Sequence, residues 1–185
     1  MIKKAVIPAA GSGTRLLPAT KEMPKGMLPI FTLGQNGEVC LIPTLQAVFE
    51  QLYDTGFREF CFIVGRGKRT IEDHFTPDWG FVEDLNGKNK AKLACRLEGF
   101  YEKVNSSTIV FVNQPRPKGF GDAVLRARAF TDNEDFLVHA SDDLILSEHD
   151  DYLKKLIAVF EEYTADAVLL VERVEDLKGY GVIEG

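Results

Sequence analysis

Short runs of apolar residues recur along this chain, separated by segments whose apolar positions follow a helical period. The first run, Ile2–Ile7, is strand-like. Three later runs are continuous and apolar: Phe60–Val64 (FCFIV), Thr108–Val112 (TIVFV) and Ala167–Val171 (AVLLV). Phe136–Ala140 (FLVHA) is similar and ends at Ser141-Asp142-Asp143. Runs of this length without alternation are expected of strands buried on both faces. Tyr180–Ile183 reads as the start of a sixth strand. Between these runs, Leu45, Val48, Phe49, Leu52 and Tyr53 share one helical face, with Pro43 suited to the first helical position and Gly56 to the stop. Further helices are predicted over about Arg69–Phe75, Lys88–Glu102, Asp122–Ala129 and Asp151–Tyr163. The last carries Leu153, Leu156, Ile157 and Phe160 on one face. Trp79 and Phe81 read as packing residues. The polar LGQNGE turn inside Phe31–Ile42 predicts a hairpin-like connection.

Strands alternating with helices imply an α/β fold with a mostly parallel sheet covered on both faces. Ligands of such sheets bind at the carboxyl ends of the strands. The residues capable of polar chemistry fall there. Arg15 and Lys25 follow the first strand, Gln114 and Lys118 the third, and Asp142 and Asp143 the fourth.

Composition narrows the ligand. The net charge is −6, and the cations form no basic block. A nucleic-acid polymer needs a concentrated cationic face, so that class is disfavoured, whereas a small phosphorylated ligand needs only a local cluster. The three cysteines, Cys40, Cys61 and Cys95, form no CxxC and read as reduced core thiols of a cytoplasmic protein. No apolar run reaches membrane-spanning length, and MIKKAVIPAAG lacks a signal-peptide core. His74 reads as a helix-end packing or surface residue, His139 as a satisfied core histidine, and His149 lies near a helix start. None is assigned to catalysis.

The stretch Ala5–Pro29, AVIPAAGSGTRLLPATKEMPKGMLP, joins a strand to two loop glycines and three cations, Arg15, Lys21 and Lys25. Glycines let backbone N–H groups approach an anion, and the cations offset its charge. The dinucleotide fingerprint needs a third small residue where Leu16 stands, and a P-loop needs Gly-Lys followed by Ser or Thr. Neither fits. What does match is AAGSGTRL followed by Pro18, Thr20, Pro24, Lys25 and Leu28-Pro29, together with GKRTIEDHF from Gly67, KGFGDAVLRA from Lys118 and the terminal KGYGVIEG. These four stretches resemble the sugar-1-phosphate nucleotidylyltransferases, nearest the bacterial and archaeal UTP–glucose-1-phosphate uridylyltransferases.

The resemblance implies a Rossmann-like three-layer sandwich of the nucleotide-diphospho-sugar transferase type. It implies transfer of a nucleotidyl group from a nucleoside triphosphate to a hexose-1-phosphate, with Mg²⁺. Arg15 would hold the β- and γ-phosphates and Lys25 would neutralise the α-phosphate. Asp142, the first acid after its strand, would bind the metal. Ala10, Gly11, Gly13 and Thr14 would form the phosphate and base cradle, with Gln114, Lys118 and Gly119 on a second nucleotide loop. Gly181 matches a position facing the sugar. One position departs from the pattern: the subfamily carries glutamate after its lysine, and this chain has Gly26. That leaves the base open, thymidine included, and a non-catalytic nucleotide-binding module of the same fold is the other class of function. Family members run on past Gly185, so residues 1–185 are expected to form a single nucleotide-binding domain, incomplete at its C-terminal side, within a homo-oligomer. The expectation is a chain that binds nucleoside triphosphate and turns over poorly by itself.

Overall fold

Four of the apolar runs pair as expected. The computed structural model describes residues 2–34, 37–146, 151–175 and 183. By backbone contacts the chain divides into two units, Met1–Leu146 and Ser147–Gly185. In the first, strands β1 (Lys4–Pro8), β4 (Glu59–Val64), β5 (Thr108–Asn113) and β6 (Phe136–Val138) form one sheet in the order β5-β4-β1-β6. Every pairing in it is parallel, so all four strands release their loops at the same edge. β1 and β4 are buried almost throughout, which explains their unbroken apolar character. Strands β2 (Pro29–Leu33) and β3 (Val39–Pro43) form the antiparallel hairpin, with Phe31 facing Leu41 and Leu33 facing Val39. These four side chains stand largely in solvent.

Helices cover the sheet on both faces. α1 (Thr44–Thr55) buries Leu45, Val48, Phe49 and Leu52. The Phe49 ring lies 4.7 Å from Phe60 of β4, 5.2 Å from Phe75 and 6.1 Å from Phe100. Phe75 follows α2 (Arg69–His74), and Phe100 belongs to α4 (Ala91–Asn105). On the other face Val6, Cys61 and Ile63 pack with Ala123 of α5 (Phe120–Arg126) and with Ala127, just before α6 (Arg128–Thr131). Alternate residues of β4 therefore serve opposite layers, as a pleated strand requires. α3 (Trp79–Gly87) completes this unit, and α7 (Tyr152–Tyr163) is the helix described in the second.

The differences from expectation have local causes. Gly56 is no such difference: it ends α1 as expected, at φ 113°, a left-handed cap that suits glycine. Pro43 is the last residue of β3, paired with Pro29, and precedes the helix instead of opening it. The Asp122–Ala129 helix begins at Phe120 and is broken after Arg126. Ala167–Val171 is not a strand: no ladder among the described residues includes it, and Leu169, Leu170 and Val171 are exposed. An apolar run states a preference for extension, but a strand exists only once its backbone is paired. Tyr180–Val182 lie outside the described residues. Cys61 is buried, and burial pushes its thiol up to about 11. Cys40 is half-buried and Cys95 exposed, so the core assignment holds for Cys61 alone. Cys95 follows Ala94, which lies on the buried face of α4. Trp79 and Phe81 are both substantially exposed, although the Trp79 ring meets Tyr101 edge-on at 5.5 Å.

Candidate active site

The loop after β1 begins inside the sheet's own hydrogen bonding, because Ala9 N–H still donates to Ile63 O. It then opens, and Gly11 and Thr14 are exposed. Gly13 stands at φ 68°, where a side chain is strained, and a Cβ there would come within 2.9 Å of Thr20 Cβ. Thr20 is buried and its Oγ1 donates to Gly13 O at 2.6 Å. That bond folds the loop back on itself and presents Arg15 on the exposed 3-10 turn Thr14–Leu16.

Lys25 opens a second 3-10 turn, Lys25–Met27, preceded by Pro24. Met27 N–H donates to Pro24 O, and Leu28 N–H to Lys25 O. Leu28 O in turn accepts from the backbone N–H and the Oγ1 of Thr44, both at 3.0 Å. The first residue of α1 thus anchors the lysine turn. Gly26 is the buried member of that turn. A Cβ on it would lie 3.0 Å from Ser141 O and 3.3 Å from Leu45 Cβ. The departure from the subfamily pattern therefore occurs where the loop after β6 presses on the lysine turn.

The result is a contact between residues 117 apart in sequence. Lys25 Nζ lies 2.6 Å from both carboxylate oxygens of Asp142, with each side chain about two-thirds or more buried (31% and 26% exposed). A Cβ on Gly11 would sit 3.7 Å from Lys25 Cε, so the glycine loop lies against the lysine stem. The structure brings Gly11, Lys25 and Asp142 together. Arg15 is exposed on its own turn, and Asp143 is exposed beside Asp142.

The third wall follows β5. Gln114 is buried, and its N–H extends the ladder to Val64 O. Its side-chain amide donates to Asp122 Oδ2 at 2.7 Å and to Gly119 O at 3.3 Å. The Gln114 amide holds the Asp122 carboxyl below its usual range, with Arg126 helping. Both amide hydrogens thus serve the turn at Gly119, which stands at φ 119° and precedes α5. Ala10 approaches this wall through Gly65, where a Cβ would lie 3.5 Å from both Ala10 Cβ and Gln114 O. Gly181 lies outside the described residues.

Among the described residues no three His, Cys, Asp or Glu side chains are grouped as a metal cage. The donor set here is Asp142. One carboxylate is enough for Mg²⁺ that also takes phosphate oxygens and water, so the residue fits an ion carried with a polyphosphate better than a protein-enclosed one. The histidines stand apart. His139 is buried, its Nδ1 donates to Ala140 O at 2.8 Å, and burial lowers its pKa. His149 lies outside the described residues.

Two residues escaped the sequence reading. Ser141 is 1% exposed, and its hydroxyl has no hydrogen-bond partner among the described residues. Lys68, after β4, lies close enough to Lys25 for the two charges to repel. Its only signal in the sequence was its place within GKRTIEDHF.

Residues 4–185 match the family described as nucleotidyl transferase. The chain belongs to that family. It is 38% identical to UTP–glucose-1-phosphate uridylyltransferase 2 of Streptococcus pyogenes serotype M3 over 98% of its own length. It spans 58% of the length of that relative. Among solved structures it resembles a UTP-bound UGPase from Acinetobacter baumannii, at 30% identity and a TM-score of 0.76, covering 89% of this chain and 54% of that one. It also resembles a UDP-glucose pyrophosphorylase complexed with UDP-glucose, at 32% identity and a TM-score of 0.68, covering 89% and 55%. The α/β architecture with a mostly parallel central sheet is thus the family's fold. No described helix is long and apolar enough to cross a membrane.

Proposed function

We propose that this chain carries the nucleotide-binding half of a uridylyltransferase that joins UTP to glucose-1-phosphate, releasing pyrophosphate. The observation that carries the reading is the 2.6 Å contact of Lys25 with Asp142 at the carboxyl edge of the sheet, against Gly11. A cation and a carboxylate held at the mouth of a glycine loop suit a triphosphate and its metal. The names of the similar proteins supply the base and the sugar.

In the reaction a sugar-phosphate oxygen forms a bond to the α-phosphorus. The bond from that phosphorus to the bridging oxygen breaks, and pyrophosphate leaves with the electron pair. No side-chain nucleophile is needed, so positioning and charge neutralisation carry the rate. In this proposal Lys25 exchanges the Asp142 carboxylate for the α-phosphate oxygens, and Arg15 meets the β- and γ-phosphates with its planar fork. Ala10, Gly11, Gly13 and Thr14 line the phosphate and base, and Gln114 with Gly119 shapes the opposite wall. Gly181 would face the sugar. Asp142 would hold Mg²⁺, which supplies charge neutralisation at the phosphate oxygens. The reading places the protein in the cytoplasm, as a homo-oligomer in its complete form.

The test is release of pyrophosphate from UTP, dTTP, CTP and GTP in turn, with glucose-1-phosphate as the acceptor and the complete protein as the enzyme. UTP is expected to give the highest turnover, and Lys25→Ala to lower it by about 100-fold or more, the usual scale for losing one transition-state charge contact. Preference for dTTP would move the base assignment to thymidine. Activity intact in Lys25→Ala would remove the lysine from its role. Nucleotide binding without turnover by the complete protein would favour the non-catalytic module, whereas residues 1–185 by themselves are expected to bind and to turn over poorly.

A further inference from the structure

The segment Gly65–Lys68 leaves β4, which lies between β1 and β5. It emerges between two walls of the site, since Gly65 packs against both Ala10 and Gln114 O. Lys68 N–H donates to Gly65 O at 3.2 Å, and Gly67 turns the chain at φ 77°. The Lys68 side chain is thereby half-buried beside Lys25.

What distinguishes Lys68 is that its side chain has no partner among the described residues. Other substantially buried lysines each meet a carboxylate: Lys4 meets Glu134, Lys25 meets Asp142, and Lys103 meets Glu50 and Asp54. Lys68 makes no hydrogen bond or ion pair with a described residue through its side chain. Burial lowers its pKa, and the charge on Lys25 lowers it further. Scarcity of acids is no explanation, because the chain has 28 acidic against 22 basic residues. Asp142 offsets the charge of Lys25, but no described acid offsets that of Lys68, and holding such an ammonium group near another cation costs free energy. A polyanion bridging them recovers that cost.

We propose that Lys68 is a further phosphate-binding residue of this site, meeting the pyrophosphate portion of the nucleoside triphosphate while Lys25 meets the α-phosphate. The inference rests on the nucleotide reading above and adds a residue to it. Titration calorimetry on the purified protein with Mg²⁺ tests it, comparing wild type, Lys68→Met and Lys68→Arg. In Lys68→Met, affinity for UTP and for inorganic pyrophosphate should fall by about tenfold or more, and affinity for UMP should stay within about twofold. Lys68→Arg should retain most of the UTP affinity. Without ligand, Lys68→Met should melt no lower than wild type, because a merely structural lysine would lower the midpoint and an unpaired one would not. Unchanged UTP binding in Lys68→Met, an equal loss for UMP, or a lower unliganded midpoint would each overturn the proposal and leave the nucleotide reading standing. If wild type itself binds no UTP, both fall.

Discussion

At the end of α2 a titratable side chain sits among aromatic rings. His74 stacks on Phe100 at 5.0 Å and meets Phe75 edge-on at 5.4 Å. Its Nε2 lies 3.0 Å from Gln46 Oε1, to which it donates. Burial lowers its pKa from 6.5 to about 4. Between these values the unfolded chain binds a proton that the folded one does not. Stability therefore rises with pH across that window and is lost as the pH falls from about 6.5 toward 4, by up to about 1.4 kcal/mol per pH unit from this residue. His139, lowered in the same direction, adds to the slope. Urea denaturation at pH 7 and pH 5 should show the loss, and His74→Gln should flatten it. The IEDHF context placed the histidine at a helix end and left packing and surface both open. Burial decides between them, and part of it comes from the Phe100 ring of α4, distant in sequence.

Among the elements, the lysine turn depends on two others. α1 holds it through Thr44, and the segment after β6 closes over Gly26. Gly26→Ala would press a methyl carbon toward Ser141 O at 3.0 Å, against backbone that cannot rotate away. Overpacking of this kind costs about 1–3 kcal/mol. The expected outcome is a lower urea midpoint together with weaker UTP binding by calorimetry, because Lys25 is the neighbouring residue. A loss of stability with UTP affinity intact would uncouple the turn from the site. The run at Ala167–Val171 shows the same dependence from the opposite side. Its composition favours extension, yet no described strand pairs with it.

For the whole molecule, net charge and ligand charge oppose one another: a chain of net charge −6 is proposed to bind a polyanion. The conflict is resolved locally, by collecting Lys25 and Lys68 near one another at the carboxyl edge. Ligand binding should therefore stabilise the fold by mass action. UTP with Mg²⁺ at about 100 times its dissociation constant adds about 2.7 kcal/mol, or about 5–10 °C in the midpoint of a chain this size. Differential scanning fluorimetry checks this, with UMP at the same concentration expected to give less. Periodicity was enough to identify the parallel sheet and the positions of Arg15, Lys25, Gln114 and Asp142 after their strands, because burial on both faces demands continuous apolar runs and parallel strands send their loops to one edge. It could not say that Lys25 would meet Asp142, that Gln114 would spend its amide on Asp122, or that Lys68 would find no partner among the described residues. Those are pairings between segments distant along the chain. Composition and spacing specify which groups a loop carries, whereas the distance between two loops exists only after the sheet has packed them together.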